Sequence, residues 1–124
     1  SEPVLQATEQ DKHIIPPSPL LRKEFKVAKK IKRAFLYATA LGVYEVYLNG
    51  SKVGDQVLAP EWTDYFTRVQ YQAYDVTKLM LSDKNVIGAS LADGWYAGVL
   101  FTHGKPQRGN YGFNRRLLAQ LQIA

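Results

Sequence analysis

The sequence contains no cysteine and only two histidines, His13 and His103. Without cysteine the chain cannot form disulfides, use a thiol nucleophile or hold zinc or iron–sulfur clusters through thiolates. Two histidines offer little for a Ser-His-Asp triad or a histidine-rich metal centre. Carboxylates, amides and aromatic rings are therefore the groups from which a functional site has to be assembled.

Long apolar runs are also missing, since no stretch approaches the roughly 18 apolar residues that a membrane-spanning helix needs. We therefore expect no membrane partner. No signal peptide opens the chain, and the compartment stays open. A length of 124 residues suits one domain with a single core. A content of 46% hydrophobic and 22% charged residues is ordinary for a globular domain, which argues against wholesale disorder.

The formal net charge of +5 is unevenly distributed. Residues 22–33 carry seven bases and one acid, residues 34–93 carry four bases and seven acids, and residues 94–124 carry four bases and no acid. The basic pairs of residues 22–33 are typical of a solvated strand face and loop; they are Arg22-Lys23, Lys29-Lys30 and Lys32-Arg33. Because none of the modular nucleic-acid-binding signatures is present, we expect no nucleic-acid partner.

Prolines divide the chain into two parts. Four of the six prolines fall within residues 1–19, which predicts an extended lead-in without ladder hydrogen bonds. Residues 20–124 form the predicted domain. Strands are predicted at Leu21–Val27, Arg33–Leu48, Arg68–Val76, Asn85–Ala92 and Leu117–Ile123.

The segment Arg33–Leu48 carries the clearest strand pattern. Its even positions are nearly all apolar, which predicts a buried face, and Gly42 predicts a bulge or bend. Asn49-Gly50 follows directly and is a strong signal for a type I′ hairpin turn. A short helical turn is predicted at Lys78–Leu81, and residues 93–116 are predicted as a functional loop. These features together indicate an all-β fold, an antiparallel β-sandwich of jelly-roll-like type with at most one short helical turn.

Several blocks of residues also occur in a recognisable order. They are LLRKEF from Leu20, ATALGVYEVYLNG from Ala38, VGD from Val53, LAPEWTDY from Leu58, RVQYQ from Arg68, YDVT from Tyr74 and DGWYAG from Asp93. In this order they resemble the N-terminal module of bacterial α-L-rhamnosidases over about residues 20–124. Glu61 departs from the pattern, which more often has glycine before the tryptophan.

The resemblance implies a noncatalytic β-sandwich that accompanies a separate catalytic domain. In such enzymes that domain is a barrel of paired helices whose carboxylates hydrolyse terminal α-L-rhamnose with inversion. We therefore expect no catalytic residue and no enzyme activity in this chain alone. Some members of the family are similar to rhamnose-binding modules that use a calcium ion beside the sugar.

Sugar binding needs an aromatic ring face and a few polar groups for the hydroxyls. The candidate carbohydrate-binding residues are Trp62, Asp64, Tyr65, Asp93, Trp95, Tyr96 and Asn114. The alternative is structural: both tryptophans would close the ends of the sandwich, and both aspartates would brace turns rather than form a catalytic carboxyl pair. Arg108, Arg115 and Arg116 are further candidates for binding a substrate carboxylate; the alternative is a solvated strand edge or contacts to other domains.

Calcium is a possible cofactor, although its ligands cannot be assigned from the sequence. Asp93, Asn110, Asn114 and backbone carbonyl groups would have to supply six to eight oxygens. Clustered carboxylates are missing there, so such a site would be rich in carbonyl groups and weak.

Two functions therefore compete. In the first, the module assists substrate recognition and packs on the catalytic helical-barrel domain of the same polypeptide, with rhamnose-containing glycans as partners. In the second, it is an autonomous calcium-assisted L-rhamnose-binding module. A binding module must present an aromatic ring and at least two unpaired polar groups together in a concavity, whereas a docking domain presents an apolar patch.

Overall fold

The computed structural model describes residues 18–102, 105–109 and 111–124, and only the backbone at some positions of the hairpin at 99–108. These residues form nine β-strands, a 3₁₀ turn at Thr77–Leu79 and a four-residue helix, α1, at Gly94–Ala97. The strands are β1 (Leu20–Lys26), β2 (Ala34–Leu41), β3 (Val43–Leu48), β4 (Ser51–Lys52), β5 (Gln72–Asp75), β6 (Lys84–Ala92), β7 (Val99–Thr102), β8 (Lys105–Arg108) and β9 (Arg116–Ile123).

The strands form two main sheets, in the order β1-β6-β3-β4 and β5-β2-β9, and β7 and β8 form a separate hairpin. Every strand pairing is antiparallel. One hydrophobic core joins the sheets, with Leu36 and Ala38 from β2 packed in the same cluster as Val46 from β3 and Leu91 from β6. The predicted all-β antiparallel sandwich is thus confirmed.

The chain passes from one sheet to the other at Gly42. Its φ of +131° is unfavourable for residues with a side chain, and a Cβ there would lie 2.4 Å from the carbonyl oxygen of Ala92. The predicted bend at Gly42 is therefore confirmed. The bend divides residues 33–48 into β2 and β3, which lie in different sheets. The even positions from Ala34 to Leu48 are nonetheless all buried.

The predicted hairpin turn at Asn49-Gly50 is also confirmed. The φ angles are +51° at Asn49 and +83° at Gly50, and Leu48 pairs with Ser51 across the turn. The Asn49 side chain donates to Asn85 Oδ1 at 2.8 Å and accepts from the Val86 amide at 2.9 Å. Because Asn85 is fully buried, these hydrogen bonds fix the hairpin to the start of β6.

Other boundaries differ from the predictions. The strand expected from Arg68 begins only at Gln72, and the helical turn begins at Thr77 rather than Lys78. The segment 93–116 is not a plain loop, because it contains α1 and the β7–β8 hairpin. Its strands were not predicted because the segment is rich in glycine and contains Pro106, and both residue types are depleted in strands. The lead-in of residues 1–19 and His103 lie largely outside the described residues, so the lead-in stays a prediction.

No helix among the described residues is long and apolar enough to cross a membrane.

Candidate functional site: an aromatic cluster at one end of the sandwich

Six aromatic side chains from three separate parts of the chain meet in one group. We call this group the aromatic cluster, and its members are Trp62, Tyr65, Phe66, Trp95, Tyr96 and Tyr111. It joins the segment after β4, the helix α1 and the segment before β9. The cluster therefore brings together residues that are far apart in sequence.

The segment that carries Trp62 and Tyr65 is fixed at both ends. At its start the Tyr44 amide donates to the Ala59 carbonyl at 2.7 Å, which ties the segment to β3. At its end the Asp64 carbonyl accepts from the Thr67 and Arg68 amides, and one Asp64 carboxylate oxygen accepts from the Phe66 amide at 3.3 Å. Asp64 thus braces the turn that presents Phe66.

Trp62 packs on Trp95 and stays half exposed. The ring centroids lie 6.4 Å apart and the ring planes are within 13° of parallel. The Trp62 indole Nε1–H donates to the Tyr111 hydroxyl at 3.2 Å, which fixes the orientation of the ring. Because 51% of Trp62 remains exposed, it does not close the end of the sandwich as a buried plug.

Tyr65 is the buried centre of the cluster. Its ring contacts the edges or faces of Tyr96 and Tyr111, with centroid distances of 5.3 Å and 4.9 Å at steep interplanar angles. Burial raises the pKa of the Tyr65 hydroxyl, and the nearby Tyr111 hydroxyl raises it further. The hydroxyl makes no hydrogen bond within the described part of the chain. Tyr65 therefore supports the exposed rings by packing.

Glycine allows α1 to approach the sandwich closely. Gly94, at φ +54°, lies against β3, and a Cβ there would come within 2.6 Å of Val43 Cγ1. A Cβ at Gly112 would lie 2.5 Å from the Tyr96 hydroxyl oxygen. These close approaches bring Trp95 and Tyr96 to the cluster, where both remain partly exposed.

Asp93 forms an ion pair with Arg115 at the start of α1. Asp93 Oδ1 lies 3.4 Å from Arg115 Nε, and only 12% of each side chain is exposed. Arg115 Nη1 also donates to the Leu91 carbonyl at 3.4 Å. The pair links α1 to the segment that leads into β9, so both charges are engaged within the domain.

The described residues provide no cluster of acidic side chains for a calcium ion. No group of three or more histidine, cysteine, aspartate or glutamate side chains within them could hold a metal ion. The Asp93 carboxylate faces a guanidinium group instead of an open oxygen cage. Asn110, a predicted contributor, lies outside the described residues.

The structure places the predicted sugar-binding residues in three different settings. Trp62, Tyr65, Trp95 and Tyr96 belong to the aromatic cluster, and Asp64 lies in the turn beside them. Asp93 faces Arg115, and Asn114 is exposed. The remaining cluster members, Phe66 and Tyr111, were missed by the sequence analysis; glycines close to Tyr111 on both sides were an available signal.

A second apolar surface lies between the sheets, where the edge strands β1 and β9 leave the core open. The groove has a cavity volume of about 660 Å³. Its apolar lining includes Leu21, Phe25, Ile87, Leu117 and Leu121. Surfaces of this kind are typical of contacts with another domain or protein.

These features define a β-sandwich domain with exposed apolar surfaces. Residues 29–124 match the family model described as "Alpha-L-rhamnosidase N-terminal domain". The chain belongs to this family, as the resemblance implied.

Similar proteins are themselves alpha-L-rhamnosidases. That of Streptomyces avermitilis is 53% identical over 104 residues, which cover 83% of this chain and 10% of the relative. That of an Alteromonas species is 41% identical over 109 residues, covering 83% of this chain and 11% of the relative. This chain thus spans about a tenth of the length of these relatives, and it is a noncatalytic accessory domain.

Solved structures of this family share the fold. The crystal structure of the Streptomyces avermitilis alpha-L-rhamnosidase complexed with L-rhamnose matches with a TM-score of 0.79 at 50% identity, over 84% of this chain and 10% of that chain. The native enzyme from Aspergillus terreus matches with a TM-score of 0.80 at 37% identity, over 94% of this chain and 15% of that chain.

Proposed function

We propose that this chain works within a larger α-L-rhamnosidase that removes terminal α-L-rhamnose from rhamnose-containing glycans. In this proposal residues 20–124 are the accessory domain, and residues 1–19 are an extended lead-in. The domain packs against the catalytic helical-barrel domain of the same polypeptide and assists substrate recognition. The names of the relatives and the small share of their length that this chain spans support the proposal.

The observation that carries the docking role is the apolar surface around the aromatic cluster. Four large apolar side chains of residues 57–66 are at least half exposed: Val57, Leu58, Trp62 and Phe66. Two charged groups nearby, Asp64 and Asp93, are engaged in the domain's own contacts, whereas Glu61 beside Trp62 is exposed. Exposed apolar side chains next to engaged polar groups favour docking over an independent sugar site. In the same arrangement Trp62 and Trp95 offer ring faces to a glycan held between the two domains.

A domain graft tests this function. This chain would replace the matching region of the Streptomyces avermitilis enzyme, and hydrolysis of an aryl α-L-rhamnoside and the melting temperature would be measured. Phe66→Ser should lower the melting temperature of the graft, because docking buries a side chain whose burial stabilises by about 1.5–3 kcal/mol. It should leave the isolated chain almost unchanged, since Phe66 is 74% exposed there.

Leu118→Ser is the matched control, because Leu118 is 68% exposed but lies on β9, away from the cluster. It should change neither melting temperature. Equal effects of Phe66→Ser and Leu118→Ser on the graft would contradict docking through the cluster. Saturable heat on titrating the isolated chain with L-rhamnose, present with calcium and lost with chelator, would support the autonomous binding module instead.

A further inference from the structure

The outer face of the sheet β5-β2-β9 carries a shallow groove that shares no residue with the aromatic cluster. We call it the sheet-face groove, and its cavity volume is about 380 Å³. It is lined by Tyr37, Ala38, Thr39, Val69, Tyr71, Leu118, Gln120 and Gln122. The groove is thus built from β2, β9 and the segment that precedes β5.

The pleat and register of the sheet determine which side chains line this groove. Odd positions of β2 point away from the core, and antiparallel pairing places Tyr37 directly opposite Gln120 on one side and Ala73 on the other. Because the Ala73 side chain is small, it leaves the adjacent side of the Tyr37 ring uncovered. Tyr71 lies next to Tyr37, with ring centroids 6.3 Å apart and planes tilted by 56°. The two tilted rings form an aromatic wall.

Unpaired polar groups surround this wall. Within the described part of the chain, the side-chain amides of Gln120 and Gln122 and the hydroxyls of Tyr37 and Tyr71 make no hydrogen bond to another protein group. Gln120 and Gln122 are both exposed, and Tyr71 is 68% exposed. The groove therefore combines ring faces with planar amide donors and acceptors, which is the combination that sugar hydroxyls require.

The charge of the lining residues and the length of the groove indicate which class of ligand it could bind. None of the described residues that line the groove is charged, although the chain as a whole carries a net charge of +5. The neighbouring Phe35 ring is covered by the Arg33 guanidinium, whose Cζ lies 4.9 Å from the ring centroid. From Leu118 to Gln122 the lining side chains of β9 extend over roughly 14 Å at the usual rise of a strand. This length suits a short oligosaccharide more than a single sugar.

We propose that the sheet-face groove binds a neutral oligosaccharide, with Tyr37 and Tyr71 contacting the apolar faces of sugar rings and Gln120 and Gln122 hydrogen-bonding the hydroxyls. A protein surface that docked here would bury these amides and would have to supply a partner for each. The inference goes beyond the proposed docking role and does not depend on it.

The test is a titration of the ¹⁵N-labelled 124-residue chain, followed by amide chemical shifts. The probes are neutral trisaccharides of rhamnose, xylose and glucose, with trigalacturonate as the charged comparison. A binding trisaccharide should move the side-chain amide signals of Gln120 and Gln122 in a saturable way, and trigalacturonate should bind more weakly. Tyr71→Ala should weaken binding about tenfold, because an aromatic contact is lost from an exposed site.

Tyr47→Ala is the matched control, since Tyr47 is a partly exposed tyrosine on the outer face of the other sheet. It should leave the affinity unchanged. Unchanged backbone signals of the core strands would show that both variants fold. The proposal is overturned if no neutral trisaccharide moves the glutamine signals, if only the signals of Trp62 and Trp95 move, or if Tyr71→Ala and Tyr47→Ala bind alike. None of these outcomes alters the melting-temperature test of docking.

Discussion

The indole rings of Trp62 and Trp95 stack almost in parallel, with centroids 6.4 Å apart, although one ring follows β4 and the other lies on α1. The hydrogen bond from Trp62 Nε1 to the Tyr111 hydroxyl adds a third part of the chain to the same contact. The three segments therefore stabilise one another's positions, and removing one ring should change the environment of the other two.

Trp62→Ala should lower the free energy of unfolding by about 1 kcal/mol, because it removes a stacked aromatic pair that is only half buried. The fluorescence of the remaining Trp95 should shift to the red, since its ring loses the cover of Trp62. Urea denaturation and emission spectra measure both effects. An unchanged emission maximum in the folded variant would contradict the stacked arrangement.

Asp93→Ala and Arg115→Ala should each lower the free energy of unfolding by about 3 kcal/mol, because each leaves one charge of a largely buried pair without its partner. The double variant should lose less than the sum of the two single losses. Urea denaturation of the four proteins in this cycle gives the coupling energy.

The exposed pair of Arg22 and Glu24 provides the control for that cycle. Its side chains are 63% and 65% exposed, so Glu24→Ala should cost no more than about 0.5 kcal/mol. Equal losses for Asp93→Ala and Glu24→Ala would show that burial of the Asp93 pair has no energetic consequence.

Gly42→Ala should destabilise the domain by more than about 2 kcal/mol. The added Cβ would meet the Ala92 carbonyl oxygen at 2.4 Å, at a backbone φ that alanine rarely adopts. Gly50→Ala is the control, because its φ is also positive but no atom lies within 4 Å of the added Cβ. Its cost should be about 1 kcal/mol. Thermal denaturation ranks the two variants, and a larger loss for Gly50→Ala would refute the close approach at Gly42.

Asp75 should contribute to the loss of stability in acid. The Thr77 hydroxyl donates to Asp75 Oδ1 at 2.6 Å and the Thr77 amide donates at 3.1 Å, and these hydrogen bonds hold the pKa of the Asp75 carboxyl below its usual range. A lowered pKa in the folded state stabilises the fold above the unfolded-state pKa. This contribution is lost as the pH falls through the folded-state pKa.

Asp75→Asn should therefore flatten the fall of stability between about pH 5 and pH 2. The measurement is the urea midpoint of both proteins across that range. If the two curves remain parallel throughout, Asp75 has no part in the acid sensitivity.

Local patterns in the sequence predicted the buried face of residues 34–48 and the turn at Asn49-Gly50. Both depend only on neighbouring residues: a period of two sets the face, and two positive φ angles set the turn. The same patterns say nothing about which sheet a strand joins. For that reason the division into β2 and β3 at Gly42 was not predicted.

The candidate sites likewise depend on contacts between distant parts of the chain, which local sequence patterns do not predict. In the sequence Trp62 and Trp95 are separate loop aromatics, and their contact with each other arises only in the folded chain. The sheet-face groove was missed because Tyr37 and Gln120 look like ordinary strand residues in the sequence. Only the register between β2 and β9 places them opposite each other.

The change of sheet at Gly42 also has a consequence for how this domain tolerates insertions and deletions. Alternation of buried and outward positions continues without interruption from β2 into β3. Deleting or adding one residue between Gly42 and Leu48 would exchange the two faces of β3. Val46 would then face outward, and its neighbours Glu45 and Tyr47 would face the core. The segment should therefore accept substitutions at its outward positions while keeping a fixed length across homologues.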